Sequence, residues 1–295
     1  MHDLPGNTFS SSALNYLPVL FFDADDTLFD TNSWMRKYVE KHAPHKLCDF
    51  DNRTELKLTN ILGADTESAI LADAKFMKEA PLMAGVRWMI SVLDAVGYPY
   101  AVCTHRGYHA DGYDLTVKQM QLLTKRWVPV YALGMCESKH DFIMRKLIGS
   151  RYKSYILVDD NVVPWNKDMN GVNPLHWASQ ICVDQIWNRT PNTGFARVIT
   201  MDSVIKALIS RIEHNVQMLI PSATAYAEVD HVLWSLRRAM CGAKYSNPVT
   251  EDEALSAKYR AESYAAFSDR QYIDSMQYQP RSPLGTAWSR FSQVV

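Results

Sequence analysis

One stretch constrains this chain more than any other: VLFFDADDTLFD, Val19 to Asp30. An apolar run of the length and kind of a strand buried on both faces leads directly into Asp23, Asp25, Asp26 and Asp30. Carboxylates this close repel one another, and one of them takes up a proton unless a cation neutralises the group. A buried strand that ends in so much negative charge implies a positive occupant.

The rest of the chain supplies a setting for it. After Leu17–Phe22, further strands are expected at YPYAVCT, ending at Thr104, at Val128–Leu133, at Ser154–Val158, stopped by Asp159 and Asp160, and at Gln180–Val183. Helical segments fall between them: Asn32–His42, Asp65–Lys78, a helix carrying Val86, Met89, Ile90, Leu93 and Val96 that Gly97 stops, Gly112–Trp127, and Lys139–Ile148. Strands alternating with helices predict βαβ units and a parallel sheet with helices on both faces. In such sheets the working residues gather at the carboxyl ends of the strands. Three strands end there in polar groups, Asp23/Asp25, Thr104 and Asp159/Asp160. Residues 1–15 read as a loose lead-in. From Met201 the pattern becomes helical, with an amphipathic helix N-capped by Asp202, then helices over Ala225–Met240 and Glu251–Met276.

Bulk properties exclude several classes. With 47% apolar and 21% charged residues a packed core is expected, and a formal charge of −1 gives no general pull toward nucleic acid or anionic membrane. No apolar run approaches the roughly 18 residues of a membrane span. The start has no basic, apolar signal pattern. Five cysteines, odd in number and without a C-x-x-C pair, argue against a disulfide framework or a zinc site. A soluble, cytoplasmic protein is expected.

Hard carboxylate oxygens suit Mg²⁺, which takes one or two carboxylates plus a phosphate. The run reads Asp-x-Asp-x-Thr at Asp23, Asp25 and Thr27, and strand periodicity puts residues 23 and 25 on one side. One carboxylate can attack phosphorus to give an aspartyl-phosphate; the other can protonate the leaving oxygen and later deprotonate water. The bland alternative for these strand-end groups is turn and cap chemistry.

FFDADDT, YAVCT, the lysine of ESKHDFIMRKL and YILVDDN occur in an order that resembles the haloacid dehalogenase (HAD) superfamily of phosphatases, over about residues 17–200. The resemblance implies an α/β, Rossmann-like parallel sheet flanked by helices, with a small helical cap after the first strand; the helical C-terminal extension is read from the sequence pattern and lies outside the resemblance. The expected division is residues 1–30 and 81–200 for the core, 31–80 for the cap, 201–277 for the extension and 278–295 for a tail. Asp23 is implied as nucleophile and metal ligand, and Asp25 as general acid/base that also touches the metal through its carbonyl. Thr104 and Lys139 are implied as phosphate-binding, with Asp159 and Asp160 completing the Mg²⁺ site. Lys125, Lys146 and Lys153 compete with Lys139 for its role. Asp160 is either a ligand or a cap, and Asp26 and Asp30 read as loop or cap residues. Asp26 stands where the family often has glycine.

His105 and Arg106 follow Thr104 and are candidate phosphate-binding residues; Arg106 reads equally as a solvated loop residue. The cap aromatics Trp34, Tyr38 and Phe76 either stack on a base or pack between helices. KHDFIMRKL and QICVDQIWNRTPNTGFARVITMDSVIKAL look similar to parts of 5′(3′)-deoxyribonucleotidases. The expected function is thus a Mg²⁺-dependent phosphomonoester hydrolase acting on a small phosphorylated substrate, a nucleoside monophosphate first, in the manner of a 5′-nucleotidase. A polynucleotide 3′-phosphatase and a sugar-phosphate phosphatase are the enzyme-class rivals. From another class comes a non-catalytic binding protein working through its C-terminal helices, where SLRRAMCGAKY is locally basic. Nucleic acid is the less favoured partner, and a homo-oligomer stays open.

Overall fold

The structure is a computed structural model that describes residues 4–5, 9–54, 56–124, 126–161, 179–188, 196–198, 200–219, 221–242, 251–255, 258–259 and 262. Six parallel strands form one sheet: β1 (Val19–Phe22), β2 (Tyr100–Thr104), β3 (Val130–Ala132), β4 (Tyr155–Asp159), β5 (Gln180–Val183) and β6 (Ala196–Val198). Their order is β3-β2-β1-β4-β5-β6. The chain therefore steps one way from β1 and then returns to the other side of it. The architecture is the expected α/β sheet flanked by helices.

Between β1 and β2 lie α1 (Thr31–His42), α2 (Leu47–Asp51), α3 (Thr59–Leu62), α4 (Ala64–Asp73), α5 (Lys75–Glu79) and α6 (Val86–Val96). Asp30 starts α1 by accepting from Ser33 N and Ser33 Oγ, an N-cap that satisfies an otherwise orphaned donor. The single helix expected over Asp65–Lys78 is broken at Ala74, whose φ of 50° ends α4 and begins α5. Gly97 closes α6 at φ 69°, a left-handed stop that suits glycine. Met35, Val39, Phe50, Ile70, Phe76 and Met77 form an apolar cluster of their own within α1–α5, separate from the one built on the sheet.

The later helices are α7 (Gly112–Leu123), shorter than the expected Gly112–Trp127, α8 (Lys139–Leu147), α9 (Asp202–Leu219) and α10 (Ala223–Gly242). Both α9 and α10 pack on α6. Val229, Val232 and Leu236 of α10 belong to the same apolar core as the strands, so α10 is no free arm. Asp202 does not cap α9: it is the helix's first residue, and its Oδ1 is buried without a hydrogen bond among the described residues. The described lead-in residues are not loose either. Ala13 and Leu14 are fully buried, and Pro5 O accepts from Tyr152 Oη.

Of the helix expected over Glu251–Met276, residues 251–255 are helical, and 263–276 lie outside the described residues, as does the 278–295 tail. The described part reaches both layers: Asp252 pairs with Lys37 of α1, Glu253 with Arg87 of α6, and Arg36 lies over the Tyr259 ring. Among the described residues no helix is long and apolar enough to cross a membrane.

Candidate active site

The strand order puts the point where the chain reverses direction between β1 and β4. At such a point the two connections leave to opposite faces, and a crevice opens beyond the carboxyl ends of the strands. Asp23 follows β1 there and Asp159 ends β4. Side chains alternate along a strand, so Asp23 shares a face with Phe21, and Asp159 with Leu157 and Tyr155. Phe21 pairs in register with Leu157 and its ring meets that of Tyr155 at 6.4 Å, so the two aspartates share that face. The helix covering it is α8, whose Phe142 ring lies 5.2 Å from that of Tyr131 on β3. Ser138 caps α8 by accepting from Asp141 N, which sets Lys139 at the helix start.

From there Lys139 Nζ reaches Asp159 Oδ2 at 2.7 Å and Asp23 Oδ1 at 2.9 Å. Asp160 joins them: carboxylate oxygens of Asp23, Asp159 and Asp160 lie within 4.8 Å of one another. All three side chains and Lys139 are buried. The competing lysines have no part in this geometry: Lys146 lies over the Tyr131 and Phe142 rings, Lys153 is exposed, and Lys125 lies outside the described residues.

The electrostatics are those of a cluster short of positive charge. Burial pushes the Asp23 carboxyl up to about 7, opposed by Lys139 and reinforced by Asp159 and Asp25. Burial also raises Asp160 well above the ordinary carboxylate range, with Asp159, Asp26 and Asp23 adding to it. Burial would lower the Lys139 ammonium, but Asp159 and Asp23 outweigh it and raise it. Asp23 Oδ1 has the Lys139 ion pair but no hydrogen bond among the described residues. A buried carboxylate oxygen with no hydrogen bond, in an all-carboxylate donor set, fits a hard divalent cation such as Mg²⁺.

Neighbouring groups hold this cluster. Asn161 N donates to Asp159 Oδ1 at 2.8 Å, and Trp187 Nε1 to Asp160 Oδ2 at 3.2 Å. Asn188 Nδ2 bonds both Asp160 O and Val183 O. Sequence reasoning did not single out Trp187 and Asn188. Their signal was the polar DQIWN directly after a buried strand.

Asp25 stands apart from the three clustered carboxylates. Its oxygens take a two-pronged grip from Arg106, Nη2 to Oδ1 at 2.7 Å and Nε to Oδ2 at 2.9 Å, and Thr31 Oγ1 donates to Oδ1 at 2.7 Å. Burial would raise its pKa, but the Arg106 charge and these hydrogen bonds lower it. Arg106 is therefore not a solvated loop residue: its guanidinium is engaged with Asp25. It is 0% exposed, with its remaining nitrogen on Thr116 Oγ1 and Gln119 Oε1. The expectation that it binds phosphate missed this partner, because nothing local in HRGYHADGYD points back to residue 25.

Thr104, at the end of β2, accepts a long bond from Arg106 N at 3.4 Å. His105 Nε2 donates to Glu137 O at 2.8 Å. Burial, aided by the Lys139 charge, lowers the His105 pKa and favours the neutral ring. Asp26 and Asp30 are turn and cap residues. Trp34 lies 5.7 Å from Tyr38 and 6.2 Å from Phe76, so the cap aromatics pack on one another.

No protein-family model matches the chain, and no curated protein matches it. Among solved structures it is similar to a HAD family hydrolase from Deinococcus radiodurans R1, crystallised with bound phosphate and sodium. The identity is 14% and the TM-score 0.43, over 67% of this chain and 97% of that one. It is also similar to a haloacid dehalogenase-like family protein from Streptococcus pneumoniae, at 14% identity and TM-score 0.40, over 65% of this chain and 98% of that one.

Proposed function

We propose that the chain is a Mg²⁺-dependent phosphomonoester hydrolase of the HAD type, working through an aspartyl-phosphate on Asp23, with nucleoside monophosphates as the first substrate class. The observation that supports this reading is the convergence of three buried carboxylates, Asp23, Asp159 and Asp160, with Lys139 between two of them at the sheet's reversal point. Mg²⁺ held by these three would neutralise charge on the phosphoryl group in transfer.

The chain's own groups do the rest. Asp23 attacks phosphorus, the bond to the leaving oxygen breaks, and Asp25 gives that oxygen its proton. Water then attacks the aspartyl-phosphate while Asp25 takes the proton back, releasing phosphate. Lys139 stabilises the ionised nucleophile, and in this reading Lys139 and Thr104 bind the phosphate oxygens. Paired with Arg106, Asp25 is held as the carboxylate, the form that deprotonates water. As the acid it carries the proton on the part of the carboxyl that stays exposed, with Arg106 still holding it in place. The preference for nucleotides draws on the segments around Lys139 and after Asp160, and not on the cap aromatics, which are engaged with one another.

The test is phosphate release, with and without Mg²⁺, from nucleoside 5′- and 3′-monophosphates, sugar phosphates and a 3′-phosphorylated oligonucleotide. Mg²⁺-dependent release from mononucleotides is expected. Asp23→Asn should retain the fold by circular dichroism and turn over at less than about a thousandth of the wild-type rate. Release by a clean Asp23→Asn preparation removes Asp23 as nucleophile. Release from the oligonucleotide alone moves the substrate to strand ends, and silence across the panel removes the hydrolase reading.

A further inference from the structure

Two chains of contact leave the Asp25 carboxylate, and both end in the α1–α5 layer. The direct one is Thr31, the first residue of α1, whose hydroxyl donates to Oδ1. The longer one runs through Arg106. One edge of its guanidinium grips Asp25, and Nη1 donates to Gln119 Oε1 at 2.7 Å. Gln119, on α7, then donates Nε2 to the backbone carbonyl of Met77 in α5 at 2.5 Å. Only this orientation of the Gln119 amide satisfies both neighbours, a donor on one side and an acceptor on the other.

The turn that carries Arg106 is itself fixed. A Cβ on Gly107 would stand 2.7 Å from the carbonyl oxygens of Ala132 and Leu133, and one on Gly112 would stand 1.9 Å from Arg106 O. The Phe29 ring lies 5.2 Å from the guanidinium. Burying an arginine is unfavourable unless its charge and donors are met. Here they are met by Asp25 and by a glutamine seated on the cap.

We propose that Arg106 is a positioning residue, through which the seating of α5 on α7 sets the orientation of the Asp25 carboxylate. Met77 O orients Gln119, Gln119 orients Arg106, and the planar fork of Arg106 leaves Asp25 one favoured direction. With α5 unseated, Arg106 loses its lateral support and Asp25 its aim. The inference rests on Asp25 being the proton-transfer group of the proposed hydrolase. Its structural half stands apart from that reading, because coupling is reciprocal: if the cap orients Asp25, loss of Asp25 must loosen the cap.

The experiment compares the full-length wild type with Gln119→Leu, Gln119→Glu, Asp25→Asn and the Gln119→Leu/Asp25→Asn double variant. Amide hydrogen exchange is followed over residues 75–79 and over β1 and β4, and turnover on an alkyl phosphate and on 4-nitrophenyl phosphate. Gln119→Leu should speed exchange in 75–79 by about tenfold and leave the strands unchanged. Asp25→Asn should do the same, and the double variant should add nothing. Turnover of the alkyl ester, whose leaving group needs a proton, should fall by about tenfold or more at constant KM, while the nitrophenyl ester falls little.

Gln119→Glu keeps the acceptor for Arg106 and removes the donor to Met77. It should therefore reproduce the exchange effect, and it serves in place of Gln119→Leu if that variant does not fold. Exchange in 75–79 that responds to Gln119 but not to Asp25 overturns the relay. So does an equal loss on both esters, the mark of a merely structural glutamine. If the wild type cleaves neither ester, the exchange comparison alone decides the coupling, and the hydrolase reading is left to its own substrate panel.

Discussion

Asp26 shows how one residue reconciles the turn with the charge around it. Its φ is 55°, in the left-handed region where a Cβ costs roughly 1–2 kcal/mol and which Asp and Asn tolerate better than other non-glycine residues. Its Oδ1 accepts from Asn32 N at 2.6 Å, and its own N donates to Phe29 O at 2.7 Å. Burial, with Asp30 beside it, raises its carboxyl well above the ordinary range. Asp26→Asn keeps the turn preference and the acceptor and removes the buried acid, whereas Asp26→Ala loses both. Asn is expected to leave the protein about 1–2 kcal/mol more stable than Ala at pH 7, read from urea unfolding. Equal stability of the two variants means that the left-handed turn does not select the residue. The oddity of an acid at this position was visible in the sequence; the angle that explains it was not. Arg106 was less legible still, because its partner lies 81 positions away and a loop arginine ordinarily faces water.

Among the elements, legibility followed the strength of local pattern. The buried strands were readable because apolar runs end abruptly at Asp23, Thr104 and Asp159. β6 was missed: it has three residues, with Arg197 at the centre, and it joins the sheet by pairing with β5. The α4–α5 break was missed because alanine favours helix, and the left-handed Ala74 carries no local signal. α10 was readable as a helix, but the surface it covers was not. Ala225, Val229, Val232, Leu233 and Leu236 are buried along one side, while Trp234 is 51% exposed. Leu236→Ala should cost about 3 kcal/mol of unfolding free energy, as core truncations do. Trp234→Ala should cost about 0.5 kcal/mol or less, as surface substitutions do. Equal costs mean that α10 does not share the core of the sheet.

For the molecule as a whole, the buried carboxylate cluster works against the fold as its protons leave. Asp23 has an ordinary value of 3.8 and is raised to about 7 when folded. Between those values the folded chain holds a proton that the unfolded chain gives up. Proton linkage then makes metal-free stability fall as pH rises from about 4 to about 7 and level off above. The raised Asp160 pushes in the same direction. Asp25 is lowered, so its contribution is present above about 4 and lost below, outside that window. If this cluster is the proposed Mg²⁺ site, the cation binds its deprotonated form and only in the folded chain. It therefore adds stability by mass action, about 2.7 kcal/mol at a hundredfold excess over Kd, and adds more as protons leave. Melting temperatures in chelator and in Mg²⁺, compared at pH 5, 6, 7 and 8, should diverge steadily. The gap should be small at pH 5 and several degrees at pH 8. In Asp160→Asn, with one carboxylate fewer to repel and to ligate, the chelated protein should melt higher and the gap should shrink. A Mg²⁺ gap that does not change with pH means that protons and the cation do not compete for these carboxylates, and the cluster is then not the metal site.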